Sequence, residues 1–215
     1  MRKKIYINLI TVFLLLFQTD ILFSQTENRI IITVGKYPIT YFDLFKEIKI
    51  VSVLSNSKIN ENNREQIKNL AIASLIKRKI KASEIEKLGI KNYSKKDLER
   101  LIQNTSRGMG LDRNGLRELL KENNLSFDSL VKRFETDLKW NSMIFLIYKN
   151  KISLNTVEIE NKINLELENL EDKNDEKKIE MIKQNIINQE KDKKLQMFSN
   201  SHYSNLERTI QVKFL

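Results

Sequence analysis

A single histidine, His202, is the first place to look for chemistry in this chain, because a hydrolytic triad, a thiol–imidazole pair and most metal sites all need one. Phe198 and Leu206 stand four residues to either side of it, on the same face if the segment is helical, so the spacing describes a packed or edge histidine. With no second histidine and no cysteine, Ser/His/Asp, Cys/His and zinc constellations lack their parts, and no disulfide can form. The glycines at 35, 89, 108, 110 and 115 fit neither a dinucleotide loop nor a P-loop. The 28 acidic residues make close carboxylate pairs unavoidable without marking any of them as a general acid or base. These residues point to a protein that binds, with no catalytic residue, cofactor or metal, and not to an enzyme.

The elements that would position a binding surface are mostly helices. Ile30 to Val34 is a β-branched run ended by Gly35 and Pro38, which reads as a strand and a turn. Thr40 with Asp43 forms a capping pair for a helix carrying Phe42, Phe45 and Ile48. A loop over 55–63 leads to a long helix with Ile72, Leu75, Ile76 and Ile80, ending near Gly89. Ser94 with Asp97 starts a third helix that breaks over 106–110, and a fourth runs from about Asp112 to Asn123. Ser126 caps a fifth, whose stripe of Phe127, Leu130, Val131, Phe134 and Leu138 gives way to an apolar run on every side from Trp140 to Tyr148. A helix apolar all round either passes through the middle of a domain or offers part of its surface as a groove. Asn155 or Thr156 caps a sixth helix, the charged run 171–178 reads as a solvated turn or frayed end, and a last helix follows. Ile210, Val212 and Phe214 then alternate with polar residues as in a half-buried strand. The expected fold class is mainly α, with the N-terminal and C-terminal strands paired in a small sheet, since neither strand can satisfy its backbone alone.

The first residues address the chain. Arg2, Lys3 and Lys4 precede an apolar run from Ile5 to Phe17, and Ser24 stands where a signal peptidase would cut, so residues 1–24 read as a signal peptide and 25–215 as one mature domain. Retention of the stretch up to Phe23 as an anchor is the alternative. The net charge of +10 would suggest nucleic acid in a cytosolic protein, but an exported chain rarely meets it. A lysine-rich solvated surface, or attraction to acidic clients or to a membrane surface, fits export better.

The order of these motifs resembles the SurA family of periplasmic chaperones and parvulin-type isomerases. Val34, Gly35, Pro38, Ile39, Thr40 and Asp43 fill that family's opening strand, turn and helix start, although the asparagine that usually precedes the glycine is absent. Leu75 to Ile90, the helix capped by Ser94, the segment 151–163 and the closing LERTIQVKFL continue the similarity. Relatives carry parvulin domains between the sixth and last helices, where this chain has only the charged run 171–178, too short for a folded domain. The resemblance therefore implies the chaperone core alone: an ATP-independent periplasmic holdase without isomerase activity. Its implied partners are unfolded outer-membrane β-barrel proteins or other extended aromatic-rich polypeptides. An inner-membrane-tethered chaperone or scaffold is the alternative it leaves.

Periodic apolar side chains are more often core than groove, so Phe42, Phe45, Ile72, Leu75, Leu130 and Phe134 are assigned to the core. Met109 in the glycine-flanked SRGMG loop, and Trp140, Met143 and Tyr148 on the over-apolar helix, are the candidate client-binding residues.

Overall fold

The computed structural model describes residues 28–169 and 175–215. The signal-peptide reading at 1–24 and the first half of the charged run, 171–174, lie outside them. Three strands, β1 (Ile30–Val34), β2 (Tyr37–Thr40) and β3 (Val212–Phe214), accompany seven α-helices among the described residues. These are α1 (Tyr41–Leu54), α2 (Arg64–Lys87), α3 (Lys95–Gly108), α4 (Arg113–Glu122), α5 (Phe127–Tyr148), α6 (Thr156–Glu168) and α7 (Glu176–Thr209).

β1 is the central strand of an antiparallel sheet in the order β2–β1–β3, and it pairs Ile32 with Phe214 and Val34 with Val212. The first and last strands therefore join, as their unpaired backbones required. β2 was not foreseen. Pro38 argued for a turn, but as an edge-strand residue opposite Thr33 it needs no ladder N–H. Gly35, at φ +55°, makes the tight connection, and its N–H donates to the Gln211 carbonyl at 2.8 Å.

Side-chain caps begin every α-helix described except α2. Thr40 accepts from the Asp43 N–H while Asp43 accepts from the Thr40 N–H, a reciprocal box at 3.1 and 2.9 Å. Ser94, Asp112, Ser126, Asn155 and Asp175 cap α3, α4, α5, α6 and α7 in turn. Asp175 draws Lys177 and Lys178 into the first turn of α7, so that part of the charged run is ordered helix and not a turn or a frayed end. The break expected over 106–110 falls at its end, because α3 continues through Gly108 and Gly110, at φ +70°, then turns the chain.

Buried side chains gather in three clusters. One joins α1, α3, α4 and α5 through Ile50, Ile102, Leu116, Leu120 and Leu130. A second seats the sheet on α1 and α2 through Ile32, Val34, Ile39, Leu44, Leu75 and Ile80. The third packs Ile85, Trp140, Met143 and Ile144 against Leu195, Phe198 and Leu206 of α7. His202 lies in that seam: Nδ1 shares a 3.0 Å hydrogen bond with the Tyr148 hydroxyl, and the ring meets the Trp140 edge.

The core assignment needs one correction and hides one surprise. Leu75 and Leu130 are buried and Ile72 and Phe134 half-buried against the clusters, but Phe42 and Phe45 are 37 % and 48 % exposed. The buried face of α1 is instead Leu44, Glu47 and Ile50, one residue out of phase with the aromatics. Glu47, 2 % exposed, is held by Arg78 and by Arg133 Nη1, the latter at 2.7 Å, and both arginines also donate to Ser74 Oγ at 3.0 Å. Burial alone would raise the Glu47 pKa, but the two guanidinium groups outweigh it and hold the carboxyl below its ordinary value.

Candidate functional site

α5 passes through the middle of the fold, touching α2, α3, α4 and α7. Its C-terminal half still offers one uncovered strip. At 100° per residue, Leu138, Ser142, Phe145 and Leu146 share one side of the helix, and Trp140, Met143 and Ile144 share the other. The second side faces α7: Trp140 and Met143 are 1 % and 0 % exposed, and the indole N–H donates to Ser199 Oγ at 2.8 Å. Phe145 and Leu146 stand out at 49 % and 55 %.

That strip is the floor of a groove of about 830 Å³. Gly89, at φ +65°, ends α2 and releases the chain into an irregular run that forms one wall. Ile90 is tied back by its N–H to the Ile85 carbonyl at 3.0 Å. The Tyr93 hydroxyl donates to Glu135 of α5 at 2.6 Å, a bond that pins the wall to the floor and pushes the phenol pKa up. Ser94 then caps α3, which supplies Leu101 to the opposite side and the Asp97–Arg100 pair, 3.0 Å apart, to the rim. Among the described residues, the N–H groups of Lys91, Asn92 and Tyr93 make no backbone hydrogen bond.

The groove thus combines an apolar floor, a polar and charged rim and a wall with free backbone donors. It suits an extended segment that places apolar side chains downward and pairs its own backbone sideways. Its residues hold no nucleophile–base pair, and among the described residues no group of three histidine, aspartate or glutamate side chains is arranged to take a metal ion.

None of the four residues singled out from the sequence lines this groove. Trp140 and Met143 occupy the right helix but its inward side, because α7 covers them. Tyr148 is half-buried, stacked on Phe198 at 4.6 Å and bonded to His202. Met109 is half-buried against the first cluster, at the turn after α3. The client surface assigned to Trp140 and Met143 is therefore corrected to core. The exposed apolar residues of this helix end, Phe145 and Leu146, sit in the same apolar run. The polar pair Asn141 and Ser142, one turn before them, is the signal that this side meets water.

A model of the SurA-like N-terminal domain matches residues 1–144. No curated protein matches the chain. The matched residues take in the sheet's first two strands, α1 to α4 and most of α5, more than half of the chain, so the chain belongs to the SurA-like family, a family of chaperone type.

Proposed function

We propose that this protein is an ATP-independent periplasmic holdase that keeps unfolded outer-membrane β-barrel proteins from aggregating in transit, acting by binding alone. The observation that carries the reading is the groove floored by Phe145 and Leu146 beside the unpaired backbone of 91–93. Barrel strands alternate apolar and polar residues, the pattern that such a floor and rim accept. Membership of a chaperone-type family and the signal-like residues 1–24 support the same conclusion.

The test is light scattering from a urea-unfolded outer-membrane barrel protein after dilution, with and without the chain and without ATP. Suppression near equimolar amounts is expected, and Phe145→Ser with Leu146→Ser should abolish it while the thermal midpoint stays. Absence of suppression by folded protein would overturn the holdase, and full suppression by the double variant would overturn the groove.

A further inference from the structure

Away from the groove, α1 carries a second uncovered face. Tyr41, Phe42 and Phe45 are 52 %, 37 % and 48 % exposed, and helical phase sets them with Lys46 and Lys49 on one outward strip, opposite Leu44, Glu47 and Ile50. Lys46 Nζ lies 4.0 Å from the Phe42 ring centre and Lys49 Nζ 4.7 Å from that of Phe45. Through Lys46 the strip runs into a pocket of about 280 Å³ that also holds Arg78, Lys79, Lys132 and Arg133. The two carboxylates there are already engaged: Asp43 accepts from the Thr40 N–H, and Glu47 is shared by the two arginines. On the other flank, Tyr41 and Phe45 themselves line a pocket of about 370 Å³ with Ile59, Arg64 and Lys68, where Glu65 is paired with Lys68 at 3.3 Å.

We propose that this strip docks on an anionic lipid bilayer, with the three aromatic rings at the headgroup boundary and the lysines against lipid phosphates. Two features select a membrane over an extended client. The strip's rings are bracketed by cations on both flanks, the arrangement of interfacial helices. Its pocket flank carries five cations against the two carboxylates of Asp43 and Glu47, which leaves complementarity to a negative surface. The inference is independent of the holdase reading, whose aggregation test contains no lipid.

Because the chain has no cysteine, Lys49→Cys gives a unique attachment point for an environment-sensitive fluorophore in the full chain, and Asn104→Cys on α3 gives a control. Vesicles containing phosphatidylglycerol should shift emission at position 49 to the blue with a several-fold rise, and leave position 104 unchanged. Reversing Lys46, Lys79 and Lys132 to glutamate, or changing Phe42 and Phe45 to serine, should remove the shift in protein that still melts cooperatively. The proposal falls if position 49 does not respond while the protein sediments with vesicles, since the apolar residues 5–23 would then be the tether. It falls equally if phosphatidylcholine alone gives the same shift, or if an unfolded barrel protein gives it where vesicles do not.

Discussion

Glu47 and Glu190 are each shared by two cations, yet they sit in regions built on different principles. Glu47 lies inside the body formed by the sheet and α1 to α5, on the helix face whose Leu44 and Ile50 belong to two of the apolar clusters. Glu190 lies on the arm made of α6 and the first half of α7, where it accepts from Lys193 at 2.7 Å and Lys162 at 3.0 Å. These bonds hold its carboxyl below the ordinary value, the Lys193 contact most. Only Ile159 and Ile186 are buried along that stretch. The same motif is therefore structural in one place and peripheral in the other. A carboxylate sealed among apolar clusters cannot stand without its partners, whereas Glu190, half-buried on an arm with few buried neighbours, can take water in their place at smaller cost.

The largest effect that would sharpen this contrast comes from the body. Trp140→Ala should cost about 3–5 kcal/mol, as for an aromatic removed from a filled core, and shift the urea midpoint accordingly. A mild effect would mean that α7 is loosely seated and that the third cluster is not a core. Next, Glu47→Gln should cost about 3 kcal/mol, at the low end for a broken buried pair because each arginine side chain keeps 21 % exposure.

The same carboxylate sets an acid dependence. Its folded pKa is depressed, so its contribution is fully present above the unfolded value of about 4.3 and is lost as pH falls through the lower folded value. Melting curves from neutral pH to pH 3 should fall more steeply for the natural chain than for Glu47→Gln, and parallel curves would assign the acid sensitivity elsewhere.

Smaller and confined to the arm, Ile186→Ala should raise amide exchange in α6 and the start of α7 while leaving α1 to α5 protected. Loss of protection throughout would merge the two regions. Smallest of all, Glu190→Gln should leave the melting midpoint almost unmoved, and a clear drop would mean that the arm relies on its ion pairs as the body relies on its core.

Much of the fold was legible because its signals are local and periodic. The caps at Thr40, Ser94, Ser126 and Asn155 name helix starts without any tertiary knowledge, and two orphan strands had to find each other. What was hidden depends on rotation about a helix axis. In α1 the aromatics and Leu44 are both apolar, so composition could not say which side meets the sheet, and Glu47, whose charge argues for an outward side, is in fact buried. In α5 the apolar run names the helix that bears the groove but not its side. That choice is made by α7, which arrives about fifty residues later and covers Trp140 and Met143.

The seating of β3 on β1 also orders events in time. β1 is among the first described segments to be made and β3 among the last, so the sheet completes only by closing nearly the whole chain into a loop. Helices α3 to α5 can gather from near neighbours early, whereas the edge of β1 stays open until residues 212–214 arrive. In the interval between the two, a protein read here as a guardian of unfinished strands itself carries an unfinished strand.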